Sequence, residues 1–142
     1  MEKNQIFENI MSRTSVRSYT DIPPLAIVVC GCLDKTLEGI EQEFWIQDCS
    51  AATENILLMA HDLGLGGVWT ALYPLKERYE GMQQLLHLPK TMISLNTLII
   101  GYPKNQVAAK DKWKEENISY NKLDGEKFII QEKEEEIGKE EK

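Results

Sequence analysis

Two prolines, Pro23-Pro24, stand directly before six consecutive apolar residues, Leu25-Ala26-Ile27-Val28-Val29-Cys30, and this run constrains the fold more than any other stretch. The prolines lack amide hydrogens and hold φ fixed, so no helix passes through them. The apolar run behind them is strand-sized and rich in β-branched residues. Side chains alternate across a pleat, so an unbroken apolar run is apolar on both sides. It predicts a strand buried on both faces, in a sheet covered by helices.

The flanking sequence supplies those helices. Residues 3–12 read as a short helix, with Ile6, Phe7, Ile10 and Met11 on one apolar stripe. Gly31 to Gly39 reads as a loop. The strongest helical periodicity runs from Phe44 to Leu63, where Cys49, Ala52, Ile56, Met59 and Leu63 form the expected inner stripe. Ala51, Ala52 and Ala60 keep part of that helix small enough for another helix to approach closely. Gly64-Leu65-Gly66-Gly67 stops it. Val68 to Tyr73 then reads as a second strand ended by Pro74, and residues 75–87 as a helix with Met82, Leu85 and Leu86 inward. Ser94 to Ile100 reads as a third strand, ended by Gly101-Tyr102-Pro103. Strand, helix, strand, helix, strand predicts an α/β sheet flanked by helices. Phe128-Ile129-Ile130 is read as a last short strand, and residues 131–142 as a frayed helix or disordered tail.

A chain of 142 residues suffices for one core. Its net charge of -7 argues against nucleic acid or an anionic membrane as main partner, because phosphates would be repelled. Residues 126–142 carry seven Glu and four Lys, so they account for -3 of that charge. Met1-Glu2-Lys3-Asn4 is not followed by the apolar core of an export signal, and the three cysteines are an odd number, which together predict reduced thiols in the cytoplasm. Cys30-Gly31-Cys32 lacks the spacing and the second pair of a zinc site, so both read as small buried strand residues and no metal is expected. His61 and His87 lack triad or ligand neighbours; Asp48, Glu54 and Asn55 read as helix-capping or interior polar residues. No side chain stands out as a general acid or base.

Several segments, in order and spacing, resemble the FMN-dependent nitroreductase family, in particular its shorter bacterial members. Ser12-Arg13-Thr14-Ser15-Val16-Arg17-Ser18-Tyr19 resembles the family's opening R-x-S-x-R-x-[FY] pattern. Leu63-Gly64-Leu65-Gly66-Gly67-Val68-Trp69-Thr70, after a long helix, resembles its central helix and glycine turn. Leu98-Ile99-Ile100-Gly101-Tyr102-Pro103, with Lys110-Asp111-Lys112-Trp113 after it, resembles its closing strand and phosphate loop. The resemblance implies an α+β nitroreductase-like domain over residues 1–122, with residues 123–142 a charged extension. It also exposes a departure: the several tens of residues that members carry after the arginine motif are absent between about 22 and 24.

The implied roles agree with the chemistry of the residues. FMN carries a phosphate dianion and ring carbonyls, and arginines offer forked donors to such oxygens. The family match assigns FMN contacts to Arg13, Thr14, Ser15 and Arg17, and a phosphate role to Lys110 and Lys112. It also places Trp69, Thr70, Ala71 and Leu72 along the isoalloxazine. The plainer readings are a solvated loop, a surface lysine run, and a helix stop next to a buried tryptophan. Gly64-x-Gly66-Gly67 is no dinucleotide fingerprint, because it lies after a helix and before a strand. The implied activity is an FMN-dependent oxidoreductase with NADH or NADPH as donor and a nitroaromatic, a quinone or a similar small molecule as acceptor, acting as a homodimer. The cofactor would carry the electrons, so no catalytic side chain is assigned. The alternative is a flavin-deficient remnant that acts as a binding or interaction protein.

Overall fold

The computed structural model describes residues 4–119. The elements are α1 (Gln5–Ser12), β1 (Leu25–Cys32), α2 (Trp45–Asp62), β2 (Gly66–Ala71), α3 (Lys76–Leu86) and β3 (Met92–Gly101), with short 3-10 turns at Leu33–Lys35, Gly39–Phe44 and Glu115–Asn117. By its contacts the chain divides into two units, Met1–Lys110 and Asp111–Lys142; all six helices and strands named above belong to the first. The expected strand at Phe128–Ile130 and the charged tail lie outside the described residues. No described helix is long and apolar enough to cross a membrane.

The sheet has the order β1-β3-β2, antiparallel throughout. β3 is therefore central, and Leu98 and Ile100 on it are buried. β1 is an edge strand, and the expectation of burial on both its faces is not met: Leu25 is 46% exposed and most of the strand is half-buried. An unbroken apolar run reports what a strand could bury, not how many neighbours it has. β1 also extends through Gly31 and Cys32, where a loop was expected. Gly31 is required there because a Cβ would lie 2.4 Å from Trp45 Cε3.

A β-bulge sets which residues face α2. Val29 pairs with Asn96 while Cys30 pairs with Ser94, leaving Leu95 as the extra residue of β3. A bulge lets two successive side chains share a side. Leu95 accordingly joins Trp45 and Cys49 in one core cluster, while Asn96 donates from Nδ2 to Thr53 Oγ1 on α2 at 2.9 Å. A second cluster unites Leu57, Ala60, Leu98 and Ile100. Burying each such leucine or isoleucine stabilises the domain by about 1.5–3 kcal/mol.

The inner stripe of α2 is thus Trp45, Cys49, Thr53, Leu57 and Ala60. The expected stripe shared only Cys49 with it, beside half-buried Ile56; Ala52 is exposed, Met59 is 60% exposed and Leu63 65%. Polar Thr53 at the centre of the true stripe masked its period. α1 and α3 contain no buried residue, so Leu85 and Leu86 do not point inward as expected, and Ile6, Phe7 and Ile10 face outward.

Candidate functional site

The segment after α1 is placed by a polar seam between α1 and α2. Arg13 caps α1, its amide donating to Asn9 O at 2.9 Å. Its side-chain Nε donates to Glu54 Oε1 on α2 at 2.9 Å. Ser12 Oγ donates to Glu8 O at 2.6 Å and lies 2.9 Å from His61 Nε2. A hydroxyl has one proton, so the second contact requires His61 to donate from Nε2. Asn9 Nδ2 donates to Asp62 Oδ1 at 2.8 Å one turn further along.

Beyond Arg13 the chain runs extended against β2. Ser15 forms a parallel bridge with Gly67, and the Val16 amide donates to Gly67 O at 3.0 Å. Val16 packs so closely on Gly66 that a Cβ there would come within 2.6 Å of it. Tyr19 Oη reaches Val16 O at 2.8 Å and Ile99 O at 2.9 Å, pinning the segment to β3. Burial raises the Tyr19 phenol above its ordinary pKa, and the Arg17 charge partly opposes that. Lys104 N donates to Ser18 O at 3.0 Å, so the chain after β3 runs beside this segment.

These contacts enclose a cleft of about 270 Å³. One wall is Ser12, Thr14 and Val16; the turn from α2 to β2 contributes His61, Gly64 and Leu65; the chain after β3 contributes Pro103, Asn105, Gln106, Val107 and Ala109. Gly64 has φ of +73°, and nothing lies within 4 Å of where its Cβ would stand. Backbone is therefore open to the cleft at Gly64. The cleft carries hydroxyl and amide groups beside His61, with Arg13 and Lys110 adjacent in sequence to lining residues Thr14 and Ala109.

The residues singled out from sequence divide accordingly. Thr14 lines the cleft, Ser15 holds its wall to β2, and the Arg13 side chain, 21% exposed, pairs with Glu54 on α2. Arg17 and Lys110 are exposed and do not line it; Lys112 is exposed in the second unit. Trp69 packs into both core clusters, Leu72 is buried, and Thr70 and Ala71 are exposed; none of the four lines the cleft. Asn105 and Gln106 went unremarked because an isolated amide in a polar loop carries no pattern. His61 and Glu54 read as structural, and both make structural contacts. No group of three or more potential metal ligands occurs among the described residues.

The chain has recognisable relatives. A family model described as "Nitroreductase family" matches residues 23–102, a range that begins after the arginine motif. A curated protein of Methanothermobacter thermautotrophicus, named "Putative NADH dehydrogenase/NAD(P)H nitroreductase", is 44% identical over 99 residues, covering 70% of this chain and 50% of that protein. The chain spans about half the length of the curated relatives it matches. A crystal structure from Parabacteroides distasonis with the same name superposes with a TM-score of 0.76 at 30% identity, covering 84% of this chain and 99% of the other. A protein of Clostridium difficile described as an FMN-dependent nitroreductase gives a TM-score of 0.62 at 25% identity, over 70% of this chain and 58% of that one.

Proposed function

The chain belongs to the nitroreductase family, and on that premise we propose that it is an FMN-dependent oxidoreductase that uses NADH or NADPH to reduce nitroaromatics, quinones or similar small acceptors. The observation that carries the proposal is the cleft between Thr14, Gly64 and Asn105. Cofactor pockets usually enclose roughly 300–1,000 Å³. At about 270 Å³ this cleft suits the phosphate and ribityl tail of FMN rather than the whole molecule.

The residues fit that tail. Thr14, Asn105 and Gln106 offer hydrogen bonds to ribityl hydroxyls and phosphate oxygens, and Gly64 lets a ligand approach the backbone. Arg13 and Lys110 stand next in sequence to the lining residues and would supply charge. The ring would extend toward the exposed end of β2, against Thr70 and Ala71, while the Trp69 side chain supports that strand from the core. When bound, FMN would supply the two-electron chemistry between the nicotinamide and the acceptor. The protein's part is to anchor, orient and exclude water.

The same reading assigns a homodimer in the cytoplasm. Ile6, Phe7 and Ile10 on α1, Met59 on α2 and Leu63 just past its end face outward, and a groove between the helices is lined by Ile6, Leu58 and Met59 among others. An apolar surface of this kind suits a second copy. The pairing of Arg13 with Glu54, outside the cleft lining, favours one competing reading, a flavin-deficient binding protein. A visible absorption spectrum separates the two. Flavin bands that bleach on addition of NADH or NADPH are expected; protein that stays colourless after incubation with excess FMN removes the enzyme reading.

A further inference from the structure

β1 ends the sheet, so one side of its backbone is bonded to β3 and the other faces outward. Among the described residues, no backbone hydrogen bond reaches Leu25–Cys32 except through that pairing. Two thiol contacts remain: the Cys30 thiol weakly approaches Val28 O at 3.9 Å, and the Cys32 thiol donates to Asp34 Oδ1 at 2.9 Å. Eight residues at about 3.4 Å each present an open edge of about 27 Å.

Protein edges are ordinarily guarded by lysine, proline, a bulge or short length. β1 has none of these guards. It carries no charged residue, its prolines stop at Pro24, and the bulged residue Leu95 belongs to β3. Leu25 is 46% exposed and Ala26 is exposed, so the first two residues of the strand are open on their side chains as well as their backbone.

We propose that this edge pairs antiparallel with β1 of a second copy of the chain, across a two-fold axis. The side chains select that occupant. Leu25–Cys32 is apolar on both sides of the pleat, whereas a half-polar strand would set polar groups against it on one side. β1 itself matches on both sides. Two copies of this uncharged strand meet on a two-fold axis without opposing like charges within the pairing, although each chain carries -7. This interface lies on the sheet edge and is distinct from the helical face of α1 and α2. It is carried by strand order and hydrogen bonding, and stands whether or not FMN binds.

The test is residue-resolved hydrogen exchange of the full chain over a dilution series, with native mass measured in parallel. Amides of β1 bonded to β3 stay protected at every concentration. The alternate, outward amides are expected to exchange at least about tenfold more slowly in the assembled than in the diluted protein. Ala26→Lys, at an exposed position, should abolish that difference and lower the assembled mass while leaving the β3-bonded amides protected. A chain monomeric at all concentrations overturns the proposal. So does an assembly whose outward β1 amides exchange freely, or one whose protection of them ignores dilution. If Ala26→Lys fails to fold, the wild-type dilution series alone decides by the same criteria.

Discussion

Replacing Thr53 by valine tests the central polar contact of the core. Thr53 and Asn96 are both fully buried. Thr53 Oγ1 donates to Cys49 O at 2.7 Å and accepts from Asn96 Nδ2 at 2.9 Å. Asn96 Oδ1 has no partner among the described residues. Valine keeps the shape of threonine and removes the acceptor, so the Asn96 amide group would be left without a side-chain partner in a fully buried site. A buried donor stripped of its partner costs about 1–3 kcal/mol. With a urea m-value of about 2 kcal/mol/M, the unfolding midpoint should fall by about 0.5–1.5 M at unchanged slope. Adding Asn96→Val removes the stranded amide, and the double variant should recover part of the loss. Midpoints of the wild type, both single variants and the double form one cycle. Thr53→Val with an unmoved midpoint, or strictly additive losses, would refute the reasoning.

Other substitutions probe the packing, the cleft and the thiols. Gly31→Ala would drive a Cβ into the Trp45 ring and should cost about 1–3 kcal/mol, read by thermal melts; an unshifted melt contradicts the close approach. Thr14→Glu sets a carboxylate in the cleft and should weaken FMN binding by about tenfold or more, equivalent to about 1.4 kcal/mol, as tracked by flavin fluorescence; unchanged affinity would move the phosphate elsewhere. Burial raises the Cys49 thiol above its usual pKa, helped by Asp48, and burial does the same for Cys30, helped by Cys49. The unfolded chain therefore releases these protons first. Stability is expected to be level below the unfolded thiol pKa of about 8.5 and to fall as pH rises through the raised folded values. Denaturation at stepped alkaline pH should show that fall reduced in Cys49→Ala; an identical slope contradicts it.

The elements were largely legible in the sequence, and their burial was not. β3 and the two later helices announced themselves by proline and glycine punctuation and by period. The face that α2 buries did not, because Thr53 occupies a core position for its bond to Asn96. Gly31 looked like a loop residue because its requirement comes from Trp45, which belongs to another element. The bulge at Leu95 has no sequence mark, yet it decides which half of β3 faces α2. In the candidate site, the order of motifs brought Thr14 and the chain after Pro103 to one cleft. The side-chain direction of Trp69 depends on its pairing with Leu98, a tertiary register that the local sequence does not encode.

If a phosphate tail is gripped where Thr14, Gly64 and Asn105 meet, the phosphate itself must contribute to affinity. Calorimetric titration with FMN and, separately, with riboflavin isolates that grip, because the two ligands differ only in the phosphate. Saturable binding of FMN is expected, with riboflavin weaker by at least about tenfold, a difference of about 1.4 kcal/mol. Equal affinity for both, or no heat with either, would contradict it.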